Sequence, residues 1–238
     1  MRADRLLVAR GLFASRAQAR AAIEAGAVRA DGARVNRAAQ MLDANAAIEA
    51  APAHPYVSRG GVKLAAALAQ FGFDPAGKIC LDVGASTGGF TDVLLRAGAR
   101  RVYAVDVGCA QLHASLRSRT EVVVLEETDI RAARPPEPVQ FITIDVSFIS
   151  LRLVLPAVTA LAAPAAELVA LIKPQFEAGR SRVKKGVVRD PLVQAAVCDE
   201  IVAAAAALGW RVLGIIDSPI AGGDGNREFL LGACLASA

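Results

Sequence analysis

The sequence is short of everything that would staple, anchor or export it. Its four cysteines, Cys80, Cys109, Cys198 and Cys234, lie far apart and form no C-x-x-C pair. That argues against a disulfide framework and a structural zinc site and for a reducing compartment, so a cytoplasmic protein without a metal is expected. Behind the opening Met-Arg-Ala-Asp-Arg there is no apolar core of signal-peptide length. No charge-free apolar run reaches the roughly 20 residues that span a bilayer. The most apolar stretch, Leu151 to Ile172, is broken by Arg152, Pro156, Pro164 and Glu167. Alanine supplies much of the 54% hydrophobic content, and alanine builds helices and tight packing without making a chain membranous. Aromatic residues are only 5% of the chain. No stacking platform stands out among them; Tyr56, Phe148 and Phe176 are candidates. A net charge of +4 permits a polyanionic partner without demanding one.

What is there divides into two parts. Residues 1–50 read as a small α+β module. Leu6, Leu7 and Val8 lie in a short amphipathic segment stopped by Gly11. Ser15 caps a second helix, with Gln18 in capping-box position, and that helix ends near Ala25 before Gly26. Val28–Ala30 and Ala33–Asn36 flank the turn pair Asp31-Gly32, a hairpin signal. Eight arginines face five acids here, leaving +3, most of the chain's excess charge on its first fifth. Residues 51–57, with Pro52 and Pro55, read as a linker.

From residue 58 to 238, strand and helix patterns alternate as in a mostly parallel α/β sheet. The expected strands are Ile79–Val83, Val102–Asp106, Val122–Leu125, Phe141–Asp145, Leu168–Ile172, Val212–Ile216 and Phe229–Cys234. Helices are expected at Phe90–Ala97, Val154–Leu161 and Leu192–Leu208.

The strongest local signal is Asp82-Val83-Gly84-Ala85-Ser86-Thr87-Gly88-Gly89-Phe90-Thr91, a strand running through a glycine-rich turn into a helix. Glycines let a backbone approach a ligand closely. The next strand ends in Asp106, which can accept hydrogen bonds from both hydroxyls of a ribose, with Val107 beside it. Asp129, past the third strand, is a candidate partner for an adenine amino group. A dinucleotide site would want G-x-G-x-x-G to hold a pyrophosphate, but Ser86 stands at the second glycine. The D-x-G-x-x-x-G-G turn followed by a ribose acid resembles motif I of methyltransferases, whose S-adenosylmethionine has no phosphate.

Four further residues stand where chemistry could occur. Asp145 and Lys173 end successive strands, and open α/β sheets bind ligands beyond the carboxyl ends of their strands. Lys63 lies on a helix before the first strand, and Glu228 opens the last one. Lys63, Asp145, Lys173 and Glu228 match in order and context the Lys-Asp-Lys-Glu tetrad of the FtsJ/RrmJ-like ribose 2′-O-methyltransferases. The strings Val57 to Leu64, Asp82 to Thr91, Asp145 to Leu151, Lys173 to Glu177 and Gly186 to Asp190 resemble, more narrowly, the TlyA family, also called haemolysin A-like. The front module is similar to the S4 RNA-binding fold.

The resemblance implies a Rossmann-like class I methyltransferase sheet of seven strands, the last antiparallel, behind an α+β S4-like module. It implies transfer of a methyl group from S-adenosylmethionine, leaving S-adenosylhomocysteine, to the ribose 2′-hydroxyl of a cytidine in ribosomal RNA. The chain resembles the shorter family type, associated with 23S rRNA, so the 50S subunit is preferred over 16S rRNA, with the protein a monomer. Asp82, Gly84, Ala85, Ser86, Thr87, Gly88, Gly89, Phe90, Asp106, Val107 and Asp129 would bind the cofactor. In the expected chemistry Lys173 accepts or orients the hydroxyl proton, Lys63 helps to depress its pKa, and Asp145 and Glu228 hold lysines and ribose in line. Arg5, Arg10, Arg16 and Arg20 would form a basic face for RNA phosphates. Arg59 and a second basic run, Arg180, Arg182, Lys184 and Lys185, would engage RNA beside the site. Three other readings compete: a non-catalytic ribosome assembly factor, a membrane-active haemolysin and a small-molecule methyltransferase. The intact tetrad and turn oppose the first, the missing span and signal the second, and the RNA-type module the third.

Overall fold

The computed structural model describes residues 1–13, 15–222 and 225–236, without the side chain of Arg180. It forms two compact units, Met1–Pro55 and Tyr56–Ala238. In the first, helices α1 (Ala3–Ala9) and α2 (Arg16–Glu24) pack together beside a small sheet of β1 (Val28–Ala30), β2 (Ala33–Arg34) and β3 (Ile48–Ala50). Strand β1 lies between the other two, antiparallel to both. Ser15 caps α2 by accepting the Gln18 N–H. The hairpin turn places Asp31 and Gly32 at φ +50° and +77°, the left-handed pair that an Asp-Gly turn provides. Leu7, Ala19, Ile23, Val28 and Val35 close the core of this unit.

The second unit begins at Tyr56, inside the expected linker. The Val57 N–H donates to Asp92 at 2.9 Å, and the Tyr56 ring lies so close to Gly61 that a β-carbon there would strike it. Both residues therefore belong to the packed unit. Its elements are α3 (Gly60–Phe71), β4 (Ile79–Val83), α4 (Gly89–Arg96), β5 (Arg101–Val105), α5 (Ala114–Arg117), β6 (Val122–Leu125), β7 (Val139–Ile144), α6 (Leu151–Leu161), β8 (Ala162–Ile172), α7 (Pro174–Glu177), α8 (Pro191–Ala207), β9 (Trp210–Asp217) and β10 (Phe229–Leu235). A 3-10 turn at Arg180–Arg182 precedes α8. The sheet order is β6-β5-β4-β7-β8-β10-β9, parallel except for β10, which runs antiparallel to both neighbours. Strand β4 is buried at all five positions, as expected of a central strand covered on both faces.

The apolar stretch Leu151–Ile172 resolves into α6 followed directly by β8. Helix α6 starts three residues earlier than its apolar pattern suggests, because Ser150 and Glu177 bind its first N–H groups. Strand β8 starts six residues before Leu168, pairing Ala162 with Val139 and then shifting register before Glu167. Pro164 and Ala165, the latter at φ +58°, occupy that irregularity, where a missing N–H costs no ladder bond. Among the described residues, no helix is long and apolar enough to cross a membrane.

Candidate active site

The glycine-rich turn is shaped by backbone contact. Gly84 has φ +80°, and a β-carbon there would strike the carbonyl oxygen of Asp145. Gly89, the first residue of α4, approaches Ser58 and Gly60 so closely that a β-carbon would collide with the Ser58 hydroxyl. The starts of α3 and α4 can therefore meet only through glycine. Ser86 takes a left-handed φ of +46°, and its N–H donates to Asp106 Oδ2 at 2.8 Å. The Gly108 N–H donates to the other oxygen of Asp106 at 2.7 Å. Each oxygen keeps a second lone pair, so the carboxylate is oriented and still able to accept from a ribose.

A cavity of about 400 Å³ opens here, lined by Gly84, Ser86, Asp106, Val107, Gly108, Gln111, Asp129, Ser147 and Phe148 among others. Its size lies within the range of small-molecule sites. Glu126 holds one wall. It accepts the N–H groups of Ala110, Gln111 and Leu112 and pairs with Arg117 at 2.6 Å. Arg117 first, and these amides with it, pull its pKa down to about 2. Asp129 reaches the same cavity, but its carboxylate is clasped by Arg131 at 2.9 and 2.6 Å. That guanidinium lowers its pKa to about 2.

Asp82 lies elsewhere. It is completely buried beneath the turn, accepting the hydroxyls of Thr91 on α4 at 2.6 Å and Thr143 on β7 at 3.0 Å. Burial raises its pKa from 3.8 to about 6. It pins the turn to the sheet and lines neither cavity. Gly88 likewise faces away, its α-carbon packed against Leu112 and Leu116.

A second cavity, of about 260 Å³, shares Gly84, Ser86, Asp145 and Ser147 with the first. Its further lining includes Ser58, Arg59, Lys63, Ala85, Thr87, Gly89, Phe90 and Lys173. Lys63 Nζ lies 2.5 Å from Glu228 Oε2, with the two side chains 10% and 3% exposed. Lys173 Nζ lies 2.6 Å from Asp145 Oδ1 and donates to Ser147 Oγ at 2.9 Å. Each lysine thus has its own carboxylate. Lys63 meets Glu228's charge, so a bare cation bearing on Lys173, the expected arrangement, is not what the side chains form. Arg59 donates to the Ala221 carbonyl at 2.5 Å on the rim. Phe148 is 91% exposed at φ +64°, its ring tilted against Phe176 at 5.0 Å. Glu177 accepts the Ser150 hydroxyl at 2.5 Å and the Leu151 N–H at 2.7 Å, which makes it a helix cap.

The first unit carries its own basic concavity, lined by Arg2, Arg16, Arg20, Asn36 and Arg37. Asp4, 3% exposed, binds the Arg2 and Arg16 guanidiniums at 3.0 and 2.7 Å, and they hold its carboxyl well below the usual range. Arg20 pairs with Glu24. Arg10 is spent on the carbonyls of Ala44 and Ala46, and Arg5 is exposed outside the concavity. Arg2, Arg37, Ser147 and Glu126 escaped the sequence reading. Arg2 and Arg37 belong to the same arginine excess, and Ser147 stands inside a motif string. Glu126 carries no pattern that would have marked it. Arg182, Lys184 and Lys185 join Arg189 around a fourth concavity, in the second unit. The Arg180 side chain lies outside the described residues. Among them, no group of three or more His, Cys, Asp or Glu is placed to hold a metal ion.

Comparison with known proteins agrees with this architecture. The family model for FtsJ-like methyltransferases matches residues 56–234, and that for the S4 domain matches residues 1–48. A Bacillus subtilis protein, YqxC, described as a candidate rRNA methyltransferase, is 48% identical over 97% of this chain and 84% of its own. The 16S/23S rRNA (cytidine-2′-O)-methyltransferase TlyA of Mycobacterium tuberculosis is 44% identical over 97% of this chain and 88% of its own. A solved Streptococcus thermophilus structure, described as a candidate hemolysin, superposes with a TM-score of 0.78 at 42% identity, covering 99% of this chain and 88% of that one. The chain therefore belongs to the FtsJ-like methyltransferases, in the TlyA group, whose Mycobacterium tuberculosis member it matches along nearly its whole length.

Proposed function

We propose that the protein transfers a methyl group from S-adenosylmethionine to the ribose 2′-hydroxyl of a cytidine in ribosomal RNA. The observation that carries this reading is the pair of lysine–carboxylate contacts beside one cavity that shares Gly84, Ser86, Asp145 and Ser147 with its larger neighbour. The larger cavity suits the adenosine half of the cofactor. Asp106 would take the ribose hydroxyls, and the backbone of Gly84–Ser86 would lie along the amino-acid end. When bound, the cofactor supplies an electrophilic methyl group on a sulfonium.

The chain's own groups then have separable tasks. Lys173 is held between Asp145 and Ser147. It can donate to the target 2′-oxygen and orient it, and the Asp145 carboxylate is the adjacent acceptor for the proton released as the oxygen–carbon bond forms. This assigns Lys173 the orienting half of its expected role. Lys63 and Glu228 would fix the ribose from the other side. Positioned proton transfer is worth about 10²–10⁴ in rate, and aligning hydroxyl with methyl supplies much of the rest. The S4 unit would grip RNA phosphates through Arg2, Arg16, Arg20 and Arg37. We take a 23S cytidine within the 50S subunit as the preferred target, 16S rRNA as the second, and a cytoplasmic monomer as the acting species.

The test is methyl transfer from labelled S-adenosylmethionine to ribosomal subunits lacking the modification, followed by mapping of 2′-O-methylated positions. Label on a cytidine ribose that disappears with Lys173→Ala is the expected result. Cofactor binding without transfer to 30S, 50S or free rRNA would overturn the reading in favour of an assembly factor.

A further inference from the structure

Two strings, Gly186-Val187-Val188-Arg189-Asp190 and Gly225-Asn226-Arg227-Glu228, contain residues that touch neither cofactor cavity nor lysine pair. The fold ties them together through one side chain. Asn226 is 1% exposed. Its Oδ1 accepts the Val188 N–H at 3.2 Å across 38 positions of sequence. Its Nδ2 donates to the Gly186 carbonyl at 2.9 Å. A primary amide can accept and donate in one plane, so these two bonds fix where the loop lies as well as that it is held. Gln194 on α8, also buried, donates to the Val188 carbonyl at 2.8 Å from the other side. Lys184 and Val187 exchange backbone hydrogen bonds of 3.1 and 3.0 Å that close the loop on itself.

The loop held in this way is basic. Arg182, Lys184, Lys185 and Arg189 surround a concavity with a single carboxylate, Asp190, and that carboxylate accepts the Leu192 N–H as the cap of α8. Among the described residues, no ion pair joins any of the four cations to an acid. Four unpaired cations on a concave, anchored surface suit a run of phosphates. Asn226 stands two residues before Glu228, the partner of Lys63. Its carbonyl also accepts the Gly222 N–H at 2.9 Å, beside the place where Gly222 crowds the Glu228 carboxylate.

We propose that Asn226 is a positioning residue that locks the basic concavity to the segment ending in Glu228, so that phosphates docked there set the target ribose against the Lys63–Glu228 pair. This rests on the RNA reading above. Asn226→Asp keeps the acceptor for Val188 but turns a second oxygen on Gly186. Gln194→Leu weakens the same anchor from α8, away from Glu228 in sequence.

The measurements are kcat and KM with ribosomal subunits, the cofactor Kd by calorimetry, and the rate of trypsin cleavage after residues 182–189. We expect KM for RNA to rise about tenfold in Asn226→Asp and about threefold in Gln194→Leu, the size of one lost hydrogen bond, with kcat and cofactor Kd within about twofold. Trypsin should nick both variants faster than the wild type. A merely structural role would lower thermal stability without this split between KM and kcat. An unchanged KM, an unchanged cleavage rate, or a fall in kcat alone would each overturn the proposal. Should Asn226→Asp fail to fold, Gln194→Leu decides by the same readouts. A wild-type protein that methylates no rRNA would remove the functional reading, and the cleavage comparison would still decide whether Asn226 anchors the loop.

Discussion

Replacing Lys63 by methionine separates what the Lys63–Glu228 pair does for folding from what it does for chemistry. The lysine side chain is 10% exposed and the glutamate 3%, with nitrogen and oxygen 2.5 Å apart. Removing the ammonium leaves a carboxylate buried without its cation, which typically costs about 3–5 kcal/mol. For a unit of this size, each kcal/mol lowers Tm by about 2–4 °C, so a loss on the order of 10 °C is expected. Glu228→Gln should cost a similar amount by stranding the ammonium. The double variant Lys63→Met/Glu228→Gln buries no charge and should recover to within about 1 kcal/mol of wild type, as a coupled pair does. All three variants should lack methyl transfer. The chain's one tryptophan, Trp210, is 2% exposed on β9, so its fluorescence in a denaturant titration reports the second unit alone. A double variant as unstable as the singles would refute the buried-pair reasoning. One that still methylated within tenfold of wild type would refute the pair's place in the chemistry.

Two further outcomes follow from buried carboxylates. The Asp82 pKa of about 6 lies above its ordinary 3.8; the folded state therefore binds the proton more tightly between those values, and stability falls as pH rises from about 4 to about 6. A shift of about two units corresponds to about 3 kcal/mol. Denaturant unfolding of Asp82→Asn should lose that decline and match or exceed wild type at pH 7.5; an unchanged slope would show that another group titrates. Glu177→Gln should destabilise by about 1–3 kcal/mol through the weakened cap of α6, leaving kcat at 20 °C within about threefold. A large loss of kcat at unchanged stability would give Glu177 a part in the chemistry and refute its assignment as a cap alone.

The sheet was legible because most strands are short apolar runs separated by turn residues, and β4 and β6 fall on the expected bounds. What escaped depended on contacts remote in sequence. Strand β3 is three residues, Ile48–Ala50, recognisable only by its pairing with β1. The early start of α6 comes from Glu177, 26 residues away from the N–H it caps. Order and context singled out Lys63, Asp145, Lys173 and Glu228 as a set, yet which lysine meets which carboxylate could not be read. Asp145 and Lys173 follow adjacent strands β7 and β8, while Glu228 opens β10 on the far side of β8 and meets Lys63 from α3. The arginine face divided for a similar reason. Charge alone does not reveal that Arg10 is committed to loop carbonyls while Asp4 orients Arg2 and Arg16.

The two cavities meet at Asp145, and that residue serves each with a different part of itself. Its carbonyl forms the wall against which Gly84 turns, close enough to forbid a β-carbon. Its N–H donates to the Val83 carbonyl at 2.8 Å, which fixes the peptide at the end of the sheet. Its carboxylate holds Lys173. The glycine turn and Lys173 therefore take their positions from one backbone unit at the end of β7. Close-packed groups transmit a displacement to their neighbours with little loss. A glycine is required at position 84, then, for more than the shape of the turn. A side chain there would push on the same peptide that aims Lys173, so the glycine turn and the tetrad, although they lie in separate strings of the sequence, form one mechanical unit.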